Sequence, residues 1–128
     1  MKVFDEEQGW DSKTNFVDVN NVVVGWDTAQ NCCEVWGNHF QLVEPLAYQA
    51  DWPTDGVQFT AEQLEPYVFD PEYRQEYSNE DEGRCAVFKL VGEGLPPLYL
   101  VLNNSHNGYY SHGFKMDKAG VTIHEGNL

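Results

Sequence analysis

Short runs of β-branched, aromatic and leucine side chains, broken by Asn, Gly, Pro or Asp, fill both ends of this chain. Residues 14–27 hold two such runs around Asn20-Asn21. Asn tolerates positive φ, so the pattern predicts a tight hairpin there. Residues 32–36 and 39–43, separated by Gly37-Asn38, read as a further pair of short strands. Residues 84–91 and 98–103 read as strands joined through residues 92–97, and residues 121–124 as a candidate edge strand. Residues 109–116 read as the strand that follows Asn107-Gly108, and Asn-Gly between β-rich runs is a strong short hairpin signal. With that pair at the centre of the turn, Asn103 faces His112 and Val101 faces Phe114. Tyr99, Val101, Phe114 and Met116 then share one face, and Leu98, Leu100, Leu102 and Tyr109 the other. Residues 98–102 are apolar on both faces, which places that strand at the buried centre of a sheet.

The middle of the chain follows a different pattern. Thr60 and Gln63 have the spacing of a capping box for a short helix over residues 61–65, which Pro66 would end. Asp70-Pro71 reads as a second helix start, with Asp as N-cap and Pro at the first helical position. The competing reading makes residues 67–69 a strand and residues 70–77 a turn plus a strand; the helix is preferred. Residues 79–83 read as an acidic turn. The expected fold is mainly β, a sandwich or small open barrel of antiparallel strands with one or two short helices, as a single domain over residues 1–128. An α+β arrangement is the alternative.

Charge narrows the partners. The formal net charge is -14. Much of it lies in residues 44–82, which carry eleven acidic side chains against one base, Arg74. Such a field repels nucleic acid and anionic membrane surfaces and favours basic proteins. No apolar run approaches the roughly 20 residues that span a bilayer. The N-terminal MKVFDEEQGW lacks the apolar stretch of a secretory leader, so a cytoplasmic location is expected. The three cysteines are an odd number, and Cys32 and Cys33 are adjacent, so free thiols are expected rather than a disulfide framework.

Two segments stand out together: Val22-Val23-Val24-Gly25-Trp26-Asp27 leading to Cys32-Cys33-Glu34, and residues 106–114, HNGYYSHGF. On these segments the chain resembles a family of small bacterial and phage-type proteins with no established function. The resemblance covers the first and last thirds of the chain and implies no catalytic residues.

Several constellations carry candidate chemistry. Thiolate and imidazole from Cys33, His39, His106 and His112 are the ligand types of zinc and related ions. Their spacing matches no zinc signature, and the neighbours Cys32 and Cys33 would point to opposite faces of a strand. Cys33 paired with His39 or His112 is a candidate nucleophile, but a strongly negative field tends to raise a thiol pKa. The acidic segment lacks the D-x-D-x-D-G loop of a calcium site. It does interleave acids with aromatic rings. Glu62, Glu65, Tyr73, Glu76, Tyr77 and Glu80 therefore form a candidate interaction surface with apolar anchors and a charged rim. Trp10, Trp26, Trp36 and Trp52 are candidate platforms for sugar rings.

The reading that follows is a small acidic soluble domain that binds a basic protein, as monomer or homodimer, with no cofactor and no nucleic-acid or membrane partner. A metal- or thiol-dependent enzyme built on the Cys/His set is the competing class, and a carbohydrate-binding module the third.

Overall fold

The run 98–102 does become a strand with neighbours on both sides. In the computed structural model, which describes residues 1–8, 11–28, 35–49, 59–79, 83–105 and 112–128, β8 (Leu98–Ser105) lies between β4 (Val35–Gln41) and β7 (Gly83–Val91). The far side of β7 pairs with β5 (Val68–Phe69) at one end and β6 (Gln75–Asn79) at the other. A second sheet has the order β1 (Lys2–Gln8), β2 (Asp11–Val17), β3 (Val22–Asp27), β9 (Gly113–Lys118), β10 (Val121–Asn127). All pairings in both sheets are antiparallel. The sheets stack as a β-sandwich, open rather than closed into a barrel, and the α+β alternative falls away because α1 (Ala61–Leu64) is one short turn.

The main core lies between the sheets. Phe16, Val24, Trp26, Phe114 and Met116 face inward from the first sheet. They meet Phe40, Ala86, Phe88, Leu90, Leu98, Leu100 and Leu102 from the second. A fully buried side chain of this size contributes roughly 1.5–3 kcal/mol. The second sheet also buries its outer face, where Cys85, Val87, Tyr99 and Val101 pack with Tyr48. Residues 42–49 run across this face. Tyr73 Oη donates to Glu44 Oε1 at 2.8 Å, and Tyr48 Oη is hydrogen-bonded to Ser105 Oγ. Gly83 makes that cover possible: a Cβ there would stand 2.2 Å from the Asn104 carbonyl oxygen and 2.9 Å from Tyr48 Oη.

Several expected elements are present. The Asn20-Asn21 hairpin forms, with Asn21 at φ 60°. The capping box closes, with Gln63 N–H donating to Thr60 Oγ1 at 3.1 Å and Thr60 N–H to Gln63 Oε1 at 2.9 Å. The strands on either side of residues 92–97 and the edge strand near the C-terminal end are also there.

Three expectations fail, each because distant pairing outweighs a local signal. Gly37-Asn38 is not a turn; both residues lie inside β4, in register with Asn103 and Leu102. Asp70-Pro71 starts no helix. Asp70 Oδ1 accepts from Glu72 N–H and the Asp70 carbonyl from Tyr73 N–H, forming a turn that delivers β6 to the edge of β7. Asp and Pro suit the opening of a turn as well as that of a helix. Finally, β8 and β9 do not form a hairpin, because they belong to different sheets. Phe114 and Met116 pack with Leu98, Leu100 and Leu102 across the sandwich, and not beside Tyr99 and Val101. The Asn107-Gly108 pair lies outside the described residues. Strand β1 was not expected; it is an exposed edge strand rich in charge.

One buried carboxylate ties the two sheets together. Asp18, in the β2–β3 turn, is 5% exposed. Its Oδ1 accepts from the N–H groups of Asn20 and Val22, each at 2.9 Å, and its Oδ2 from Phe69 N–H of β5 at 2.8 Å. Replacing Asp18 by Ala strands these donors and should cost about 3 kcal/mol. Urea unfolding should show a lower midpoint with an unchanged m-value, and Asp18→Asn should lose less. An unchanged midpoint for Asp18→Ala would show that the carboxylate does not hold the sheets together.

Candidate functional site

The aromatic and acidic residues expected to make one surface are divided among three places. Tyr73 and Tyr77 are half-buried on the outer face of the second sheet, where they pack on the Tyr48, Cys85, Tyr99 cluster. The Tyr73 ring packs at a tilt against Tyr99, with centroids 5.8 Å apart. Burial, and then the Glu44 carboxylate, push its hydroxyl pKa well up. Glu76 points to the other side of β6, with its carboxylate 3.6 Å from His124 Nε2 on β10. Glu62 and Glu65 are exposed on α1 and the turn after it. Glu80 lies outside the described residues.

The metal candidates divide as well. His39 points to the outer face of the second sheet, opposite Val101, with Nε2 2.7 Å from Gln41 Oε1. His112 is fully buried between the sheets, with its ring 5.3 Å from Trp36 and 6.0 Å from Trp26. Its Nδ1 carries the proton, because it lies 2.8 Å from the Asp27 carbonyl oxygen, which can only accept. The sheet thus separates the two imidazoles, and they cannot ligate one ion together. Cys33 and His106 lie outside the described residues, and no group of three or more His, Cys, Asp or Glu side chains suited to a metal occurs among the described ones. Trp26, a candidate sugar platform, is fully buried, and Trp36 packs edge-on against it at 5.6 Å. Trp10 and Trp52 lie outside the described residues.

What the folded chain gathers instead is an apolar end. The Asp18–Phe69 hydrogen bond, the Met1 N to Leu64 carbonyl bond and the Val68–Val91 pair bring together the β2–β3 turn, α1, β5 and the end of β7. The β9–β10 turn joins them, because Lys118 pairs with Val22. Of the nine large apolar side chains exposed among the described residues, six stand at this end: Val19, Leu42, Val43, Val91, Leu95 and Val121. Leu46, 76% exposed, follows on the covering segment. Glu44, Glu62, Glu65 and Glu93 are exposed at the same end, with Lys2 and Lys118 as the bases. Sequence reasoning identified Glu62 and Glu65 but not the apolar set, whose members lie in five separate segments. No helix among the described residues is long and apolar enough to cross a membrane.

No protein-family model, curated protein or solved structure matches the chain. The class of protein is therefore the one its architecture defines, an antiparallel β-sandwich domain.

Two buried groups yield direct tests. Burial lowers the His39 pKa below its ordinary 6.5, partly opposed by the Gln41 hydrogen bond. Above that value both folded and unfolded states are neutral at this site. As pH falls below it, the unfolded chain takes up the proton first, so stability is lost. The stability of the His39→Gln variant should therefore fall less steeply than wild type below about pH 6.5, measured by chemical denaturation. Parallel slopes would show that His39 protonates equally in both states. Burial likewise pushes the Cys85 thiol up to about 12. Iodoacetamide at neutral pH should leave Cys85 unmodified in the native protein and label it after unfolding, as read by peptide mass mapping. Rapid native labelling would contradict its buried placement.

Proposed function

We propose that this chain is a binding domain that docks a basic protein partner through its apolar, acid-rimmed end. One observation carries the reading: six of the nine exposed large apolar side chains collect at one end of the sandwich, among exposed carboxylates. Apolar side chains with a charged rim are what a protein interface uses. The rim selects the partner's charge, and the net charge of -14 steers it in from a distance. The same negative field disfavours anionic lipid and nucleic acid as the covering surface.

The test is capture from a cell lysate on immobilised protein, followed by cross-linking and mass spectrometry. The captured protein should be basic, its cross-links should fall near residues 42–46 and 62–65, and its affinity should drop steeply with salt. The combined variant Leu42→Ser, Val43→Ser, Glu62→Gln, Glu65→Gln should bind at least about tenfold more weakly, with a shallower salt slope. Equal capture by the variant, or salt-insensitive capture, would rule out this end as the docking surface.

A further inference from the structure

The outer face of the first sheet carries an open depression of about 700 Å³. That is within the range of small-molecule clefts, about 300–1,000 Å³. It arises because two cross-strand pairs, Asn15 with Gly25 and Asn127 with Gly113, flank the central β3–β9 ladder. The glycines leave bare backbone as the floor, and the two amides stand at the sides. A Cβ on Gly25 would lie 3.0 Å from Asn15 Oδ1, and one on Gly113 3.4 Å from Asn127 Oδ1.

The chemistry of the walls is mixed. Lys13 is opposite Asp27, and Lys115 is opposite Glu125, so each ammonium has a carboxylate across from it on the same face. Lys2, Lys13 and Lys115, three of the seven bases of a strongly acidic chain, point outward from this sheet. With Glu6, Asp27, Asp117 and Glu125 on the same face, these bases leave it much closer to neutral than the rest of the molecule, with a small negative excess. Asn15 and Asn127 line the depression, with Asn15 Oδ1 set over the Gly25 backbone and Asn127 Oδ1 over that of Gly113. The exposed ring of Phe4 stands beside Asn15 on the same face.

From this combination we infer that the depression is a binding site for a neutral, polyhydroxylated ligand, a short oligosaccharide. Each sugar hydroxyl both donates and accepts, so it can bond to ammonium, carboxylate and amide groups side by side. A ligand of one charge would meet its own sign on the same walls. Beside the depression, across from Asn15, the Phe4 ring offers an apolar surface for the C–H face of a pyranose that extends past the rim. This site is separate from the docking end, so either assignment can fail alone.

The test is NMR titration of the ¹⁵N-labelled full chain with cellohexaose, maltohexaose and chitohexaose. Trilysine and triglutamate peptides serve as charged comparisons. At least one saccharide should shift the backbone amides of Gly25, Gly113 and Lys115 and the side-chain amide of Asn15. Lys115→Met removes one ammonium at nearly constant volume. Gly113→Ala places a methyl on the floor, where its nearest contacts are ordinary ones at 3.4 and 3.9 Å. Each should weaken the saccharide about tenfold, with the unliganded spectrum otherwise preserved. The proposal is overturned if no saccharide moves these signals at tens of millimolar. It is overturned equally if both variants bind as wild type does, or if only a charged peptide perturbs the depression.

Discussion

A run that is apolar on both faces must be covered twice, and residues 98–102 of β8 impose that requirement on the whole molecule. Its leucines face the first sheet, and Tyr99 and Val101 face the other way. The inner requirement brings Phe16, Val24, Trp26, Phe114 and Met116 across the sandwich. The outer requirement draws residues 42–49 and the Tyr73 and Tyr77 rings over the second sheet. With those aromatics committed to the cover, exposed apolar side chains collect where the cover begins and where the turns meet. The interaction surface proposed here is in this sense a consequence of how the sheet is closed.

The two sheets differ in what their outer faces can do. The second is buried under its own chain, so His39 and Cys85 are held there without solvent, and burial moves both pKa values toward the neutral form. Among the described residues nothing comparable covers β3 and β9 of the first sheet, and these strands alternate between buried and more exposed positions. That alternation leaves the Gly25 and Gly113 backbone open between opposed charges. Acidity dominates the molecule as a whole, yet this face is nearly balanced, so under the two proposals long-range steering and short-range recognition would act at different places.

Much of the strand content was legible because it rests on local rules. Asn20-Asn21 makes its hairpin through an αL residue, and Thr60 with Gln63 makes its capping box within a single turn of chain. The failures share one physical cause. Gly37-Asn38 and Asp70-Pro71 each suit more than one conformation, and seven ladder pairs to β8 in one case, and pairing to β7 in the other, decide between them. Of the candidate site, Glu62 and Glu65 could be named from the sequence. Val19, Leu95 and Val121 could not, because single apolar residues in turns carry no signal until the turns are brought together.

The sequence by itself determined the β class, the burial of residues 98–102, the strong acidity, the Asn20-Asn21 turn and the Thr60–Gln63 capping box, since each depends on composition or on neighbours a few residues apart. Only the tertiary structure decided that β9 joins β3 and not β8, that His39 and His112 lie on opposite sides of a sheet, and that Asn15, Gly25, Gly113 and Asn127 frame one depression. Those outcomes depend on which distant strands bury the most surface together, a comparison between whole arrangements that no local pattern of side chains contains.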